Sequence, residues 1–284
     1  MFLKLITEKK MKISLTKVLL LLFVTLLANL TLWSNENIVF QEKDLVKDIS
    51  SQVLIYEDKT GELSISSIQD KEFSVLDSKV PNFGVSKSYF WVKVSITNNS
   101  NIPELLIEVS LPILDYIEFY SLEEDGYNKE VLGENFIFSK RKYNEPNYLF
   151  DVIIPKGSSK TYYLRVASNE AIQLPIKLGT KNEIITELKY RDILSGIYVG
   201  IMVVMILYNL FIYFSVKDQS YIYYVVYIVC ILLTQTSLQG YTFQFLWPNT
   251  PVISKYSLFV LPAFSAISGM LFMNVFLKTK NYFK

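Results

Sequence analysis

Three long stretches without charged side chains dominate the C-terminal third of the chain. The first, residues 193–215, contains 23 consecutive uncharged residues. A helix of that length rises roughly 34 Å, which is enough to cross a hydrocarbon core of about 30 Å. Residues 221–238 and 256–277 are also long and apolar enough to span. The pattern predicts a membrane region over residues 193–284, with three transmembrane helices at these positions.

Residues 38–180 have a different pattern, in which short alternating apolar runs are separated by turn-forming residues. Six runs rich in β-branched and aromatic residues predict strands, at 53–56, 89–96, 105–109, 116–120, 148–154 and 161–166. We expect the turn residues Pro155–Ser159 to join two of these strands as a hairpin. Many short strands with little helical pattern predict an antiparallel β-sandwich. The polar residues 181–192 are predicted to form a linker to the membrane.

The first 34 residues combine several lysines with an apolar run at 18–32. This order is typical of a secretion signal peptide, and an uncleaved N-terminal anchor is the alternative. Both place the sandwich on the periplasmic or extracellular side of the inner (cytoplasmic) membrane. Lys278, Lys280 and Lys284 then lie in the cytoplasm, in agreement with the positive-inside rule.

The composition disfavours several classes of function. The chain contains no histidine, and its single cysteine, Cys230, lies in an apolar span. The usual general base, the commonest zinc ligand and an intrachain disulfide are therefore missing. Residues 35–192 contain 18 Lys/Arg against 25 Asp/Glu, a net charge of −7, whereas nucleic-acid binding is driven by basic side chains. We expect no catalysis, no metal or other cofactor, and no nucleic-acid partner.

Three residues of the predicted sandwich are candidates for ligand binding. Trp91 either packs in the core or forms a stacking platform for a sugar or another planar ligand. Asp115, at a strand entrance, either caps a turn or contacts a ligand. Arg165 is a charge among apolar neighbours, where it either covers the sheet or binds an anionic or hydroxylated ligand.

Small and polar residues within the spans indicate contacts between helices. Gly196 and Gly200 form a G-x-x-x-G pair, and Ser265 and Gly269 have the same spacing. Such pairs let helices approach closely in lipid. Asn209, an amide inside the first span, is expected to find a hydrogen-bond partner on another helix. No span contains a charged residue, which disfavours an ion pathway.

Several short sequences together resemble one family of bacterial receptors. In the sandwich they are Tyr56-Glu57-Asp58, Pro81-Asn82-Phe83-Gly84, Ser88-Tyr89-Phe90-Trp91-Val92-Lys93, Leu114-Asp115-Tyr116-Ile117 and Tyr163-Leu164-Arg165-Val166. In the membrane region they are Gly196-Ile197-Tyr198, Tyr208-Asn209-Leu210-Phe211, Lys217-Asp218, Tyr221-Ile222-Tyr223-Tyr224 and Leu246-Trp247-Pro248. Residues 45–280 resemble the seven-transmembrane receptors with diverse intracellular signalling modules, and the sandwich resembles their type 2 extracellular sensor domain.

The resemblance implies a jelly-roll-like sandwich that binds a carbohydrate or another small ligand. It also implies helices that relay occupancy to a cytoplasmic output such as a histidine kinase, a diguanylate cyclase or a phosphatase. The arginine of the family's Tyr-Trp-x-Arg strand is Lys93 in this chain.

The predicted function is therefore a membrane-bound sensory receptor in contact with lipid. Because only three spans follow the sandwich, we expect either a truncated reading frame or a short receptor that recruits a separately encoded signalling module. The alternative is a membrane-tethered adhesion or envelope structural protein without a signalling output.

Overall fold

The computed structural model of the protein describes residues 37–278. The predicted signal peptide or anchor, 1–34, and the terminal lysines Lys280 and Lys284 lie outside the described residues. Within that range the chain forms an antiparallel β-sheet domain, residues 37–180, followed by three long apolar helices.

Two facing sheets make up the β domain. The larger sheet contains β1 (Asn37–Phe40), β3 (Leu54–Asp58), β4 (Ser74–Val75), β6 (Tyr89–Asn98), β8 (Tyr116–Glu123), β9 (Gly126–Leu132) and β11 (Ser159–Ala167). Its order is β4-β3-β6-β11-β8-β9, and β1 also pairs with β6. The smaller sheet contains β2 (Val46–Asp48), β7 (Glu104–Val109), β10 (Tyr148–Ile153) and β13 (Ile176–Thr180), in the order β10-β7-β13-β2. A short pair, β5 (Asn82–Gly84) with β12 (Ile172–Gln173), and a single helical turn, α1 (Ile65–Ile68), complete the domain.

All six predicted strands are present, as β3, β6, β7, β8, β10 and β11. The prediction of a hairpin at Pro155–Ser159 is wrong, because β10 belongs to the smaller sheet and β11 to the larger one. The turn residues therefore join the two sheets. A two-residue hairpin instead connects β8 to β9, where Glu123 pairs with Gly126.

The side chains between the sheets form one apolar core. Along β6, Phe90, Val92, Val94 and Ile96 all point into it and are at most 4% exposed. Phe119 of the larger sheet stacks on Phe150 of the smaller one, with ring centroids 4.6 Å apart. The period-two alternation of β6 therefore directs one face to the core and the other, including Trp91, to the opposite side of the sheet.

Three long helices follow the sandwich. They are α2 (Lys181–Val216), α3 (Gln219–Leu238) and α5 (Pro251–Phe276), with the short helix α4 (Tyr241–Phe245) between the last two. All three long helices are apolar enough to cross a membrane. Helix α5 begins at Pro251, five residues before the predicted span at 256–277. The uncharged stretch in the sequence starts only after Lys255, which lies in the first turns of the helix.

Residues 181–192, predicted as a linker, are the beginning of α2. The hydroxyl of Thr180, at the end of β13, accepts a hydrogen bond from the Glu183 amide and caps the helix. Ile184 and Leu188 of this segment pack on Leu106 of the smaller sheet. The polar residues of the segment are thus one face of an amphipathic helix, and the sandwich continues into α2 without a break.

Candidate functional site

Glu118 is the centre of a buried polar cluster on the face of the larger sheet that points away from the main core. Its side chain is only 2% exposed. It accepts hydrogen bonds from the hydroxyls of Tyr116 at 2.8 Å and Tyr120 at 2.7 Å. Lys129 Nζ lies 3.0 Å from one carboxylate oxygen, and Arg165 Nη1 lies 3.3 Å from the other. Four donors therefore compensate one buried carboxylate.

The cluster shifts the pKa values of its members in opposite directions. Burial alone would raise the pKa of Glu118, but hydrogen bonds from Tyr120, Lys129 and Tyr116 lower it below its ordinary value. Burial and the bond to Glu118 together raise the pKa of Tyr116 to about 12. Glu118 is therefore ionised and Tyr116 is a neutral hydroxyl donor at neutral pH.

Arg165 is held by contacts on several sides. The strand pairing places it opposite Trp91 on β6 and opposite Glu118 on β8. Its Nη2 donates to the carbonyl of Gly61 at 2.5 Å, and its guanidinium carbon lies 4.1 Å from the centroid of the Tyr89 ring. The guanidinium is thus fixed in position by an ion pair, a backbone carbonyl and a ring face.

A pocket of about 450 Å³ opens beside Arg165, and we call it the Arg165 pocket. Its lining residues are Gly61, Glu62, Leu63, Ser64, Ile65, Glu118, Tyr120, Tyr127, Lys129 and Arg165. Two cations, two carboxylates and two tyrosines thus surround one cavity. This mixture of hydrogen-bonding groups and aromatic surface suits a small polar ligand.

Trp91 lies under this pocket and does not line it. The indole is fully buried and stacks on Tyr120, with ring centroids 5.5 Å apart. Ile68 and Tyr163 complete a second apolar cluster around it. Of the two hypotheses for Trp91, this position agrees with core packing, in a layer that supports Tyr120 in the pocket wall.

Asp115 connects the sandwich to the third long helix. Its side chain is 4% exposed, and its Oδ1 lies 2.6 Å from Nζ of Lys255 on α5. Its Oδ2 accepts from the backbone and side-chain nitrogens of Asn169, at 2.9 and 2.8 Å. The same residue lines a smaller pocket of about 280 Å³. Asp115 therefore does more than cap a turn.

A second carboxylate, Glu134, contacts the same helix at Ser254, one residue before Lys255. Glu134 is 3% exposed, and its Oε1 accepts from the Ser254 hydroxyl at 2.6 Å. Lys255 also donates to Asn135 Oδ1 at 3.3 Å. Two consecutive residues of the sandwich loop thus bind two consecutive residues of α5.

Apolar groups complete the contact. The rings of Phe138 and Phe243 on α4 meet edge to face, with centroids 5.6 Å apart. Gly240, the residue immediately before α4 in the chain, has a positive φ of 80°. A Cβ at this position would lie 2.8 Å from the Pro112 side chain. Lack of a side chain thus allows α4 to approach the sandwich closely. We call the following set the sandwich–helix joint: Asp115, Glu134, Phe138, Phe243, Ser254 and Lys255.

The predicted helix-packing residues divide into two groups. A Cβ on Gly269 of α5 would lie 3.1 Å from the ring of Tyr227 on α3, and Ser265 is buried on the same helix. A Cβ on Gly196 or Gly200 would meet no atom within 4 Å among the residues described. Gly269 of α5 therefore packs against α3, whereas the pair of α2 has open space beside it.

Asn209 is buried, but its amide donates to the Met205 carbonyl of its own helix at 2.7 Å. The expected bond from this amide to another helix is therefore replaced by one within α2.

Sequence reasoning did not single out Glu134 or Lys255. Each forms a hydrogen bond with a residue 120 positions away in the chain. The available signal was Lys255 itself, the single charge between residues 219 and 277. A lone charge in an apolar region needs a partner, and Asp115 is that partner.

Comparison with known proteins gives two matches along the chain. Residues 50–180 match the family model described as 7TMR-DISM extracellular 2. Residues 191–284 match the model described as 7TM diverse intracellular signalling. No match was found among curated proteins. The two models cover the sandwich and the long helices in the order observed, and the chain belongs to the family of seven-transmembrane receptors with diverse intracellular signalling modules.

Proposed function

We propose that the protein is a sensory receptor of the bacterial inner membrane, in which the sandwich binds a small ligand in the Arg165 pocket and biases the packing of the membrane helices. Membership of this receptor family supports the role of membrane sensor. The sandwich lies on the periplasmic or extracellular side in this proposal, and the short α2–α3 connection with Lys217 lies in the cytoplasm.

The best support for this proposal is the position of the start of β8, which lies between the Arg165 pocket and the sandwich–helix joint. Tyr116 donates its hydroxyl to Glu118 in the pocket wall. The preceding residue, Asp115, pairs with Lys255 on α5. A ligand that moves Arg165 or Glu118 would therefore act on a strand whose first residues hold the third helix.

The chemistry of the pocket favours a hydroxylated ligand of carbohydrate type. Lys129 and Arg165 offer N–H donors, Glu62 offers a carboxylate acceptor, and Tyr120 and Tyr127 offer ring surface. The hydroxyl groups of a sugar can bond to such charged side chains, and its apolar ring face can stack on an aromatic ring. In this proposal the membrane helices relay occupancy of the pocket to a cytoplasmic signalling module.

Signalling requires that the ligand prefer one of two arrangements of the receptor. The ion pair of Arg165 with Glu118 supplies a mechanism, because a ligand that bonds to Arg165 competes with Glu118 for it. Partial release of Glu118 would alter its bond with Tyr116 and with it the position of Asp115.

Thermal unfolding of the full chain in detergent micelles tests ligand binding. Wild type, Arg165→Gln and the matched control Lys160→Gln would be screened against neutral sugars, acidic sugars and amino acids. Lys160 is exposed on the same strand as Arg165. We expect one class to raise the unfolding midpoint of wild type and Lys160→Gln but not of Arg165→Gln.

A ligand that shifts all three proteins equally would contradict the Arg165 pocket as the binding site. A complete absence of shifts in a well-folded protein would favour the tethered structural protein without a sensory role.

A further inference from the structure

The joint contains a carboxylate whose surroundings favour its neutral form. Glu134 is buried between the sandwich and the start of α5. Its Oε1 accepts from Ser254, and its Oε2 has no hydrogen-bond partner in the part of the chain that the structure describes. An ionised carboxylate requires compensation on both oxygens, whereas a protonated one places its own hydrogen on the second oxygen.

The cations near Glu134 are already engaged elsewhere. Lys255 is paired with Asp115 at 2.6 Å. Arg141 donates to the carbonyls of Glu145 and Pro146 and, at 3.2 Å, to the hydroxyl of Tyr148. Neither cation therefore forms an ion pair with Glu134 among residues 37–278.

Counted together with Glu134, the charged groups around it carry more negative than positive charge. The titratable groups that act on it are Asp115 before β8, Arg141 in the segment between β9 and β10, Tyr148 on β10 and Glu170 after β11, while Lys255 on α5 acts through Asp115. If all were ionised except Tyr148, three carboxylates would face two cations. One proton on Glu134 restores neutrality.

We propose that Glu134 is a proton-binding group of the sandwich–helix joint, and that its protonation state controls how firmly the start of α5 is held. In the neutral form the carboxyl accepts from Ser254 and leaves no bare charge in the contact. Ionisation places a negative charge beside Asp115 and Glu170. Water must then enter between Glu134 and Ser254 to solvate that charge. With the sandwich outside the membrane, as in the proposed function, this group would respond to external pH.

Burial raises the pKa of the Glu134 carboxyl to about 7, and the charges of Glu170 and Asp115 add to the rise. The hydrogen bond from Ser254 and the positive charge of Arg141 oppose it. Because the folded-state pKa lies above the ordinary value of 4.5, folding binds a proton between these two pH values. The contribution of Glu134 to the free energy of unfolding is thus greatest below pH 4.5 and is lost as the pH rises to about 7.

The test compares thermal unfolding of the full chain in micelles between about pH 5 and about pH 8. Glu134→Gln is the neutral isostere, and Glu124→Gln, in the exposed β8–β9 turn, is the matched control. We expect the midpoints of wild type and Glu124→Gln to shift downward relative to Glu134→Gln as the pH rises. Parallel curves for all three proteins would overturn the proposal.

Hydrogen exchange of wild type alone provides a second readout that does not depend on folding of any variant. After correction for intrinsic exchange rates, amides of residues 250–256 should exchange several-fold faster above about pH 7 than below it. Amides of Val94 and Ile96, which lie in the main core and not in the joint, should not change. Unchanged protection of residues 250–256 across this range would also overturn the proposal. Protonation of Glu134 requires no ligand, so a failed ligand screen would leave this inference unaffected.

Discussion

Asp115 of the sandwich and Lys255 of the third long helix form an ion pair at 2.6 Å, across 140 residues of sequence. Asp115 is almost fully buried, and the lysine side chain is 29% exposed. The pair therefore lies at the edge of the joint, where an unpaired carboxylate would be costly. It ties the entrance of β8 to the beginning of α5.

Removal of Lys255 should destabilise the protein. We expect Lys255→Met to lower the free energy of unfolding by about 1–3 kcal/mol, because Asp115 is left buried without its cation. A double-mutant cycle with Asp115→Asn, followed by denaturant unfolding in micelles, measures the coupling. Strict additivity of the two substitutions would show that the pair contributes nothing.

The Glu118 cluster should make the sandwich sensitive to acid. The pKa of Glu118 is lowered in the folded state, so its contribution is present above the ordinary value near 4.5 and is lost as the pH falls below it. At neutral pH, Glu118→Gln should cost about 3–5 kcal/mol, since Arg165 and Lys129 lose their common anion.

Acid unfolding curves provide the measurement for this cluster. The difference in unfolding free energy between wild type and Glu118→Gln should shrink as the pH falls below about 4.5. Glu123→Gln, at the exposed end of the same strand, is the control. A difference that stays constant with pH would contradict the assignment of an ionised Glu118.

Gly133 should not tolerate a side chain. Its φ is 141°, and a Cβ there would overlap the carbonyl oxygen of Asp115. Gly126 has a similar φ of 120° but open space around the added Cβ. We expect Gly126→Ala to cost about 1–2 kcal/mol from the backbone alone and Gly133→Ala clearly more. Equal thermal shifts in the two variants would mean that the contact with Asp115 is unimportant.

The two pairs of small residues in the membrane helices should respond differently to substitution. Gly269→Leu forces a bulky group against Tyr227 and should lower the unfolding free energy by about 1–3 kcal/mol. Gly200→Leu points into open space and should cost less than about 1 kcal/mol. Thermal unfolding in micelles compares them, and a larger loss for Gly200→Leu would contradict the observed α3–α5 packing.

Much of the architecture could be predicted because local pattern determines it. The alternation along β6 and the uncharged run of α2 each reflect one physical environment, a sheet face or a lipid phase. Very short strands such as β4 and β12, with two residues each, have too few positions to show a period. The turn at Pro155–Ser159 shows where the chain reverses, but not whether the next strand stays in the same sheet.

The site was only partly predictable for a related reason. Arg165 stood out as a charge among apolar residues, and the structure places it in a pocket wall. Glu134 has no such local signal, because its contact with Ser254 depends on α5, which begins more than 100 residues later. Contacts between distant segments have no local signature, and the joint consists entirely of such contacts.

In the proposed mechanism, a ligand in the Arg165 pocket changes how firmly the joint holds the start of α5. Hydrogen exchange with and without a stabilising ligand tests it directly, in wild type and in Lys255→Met. Protection in α1 and β8 should increase in both proteins, while exchange of residues 250–256 should change only in wild type. An unchanged 250–256 segment in ligand-bound wild type, with the pocket protected, would contradict the account.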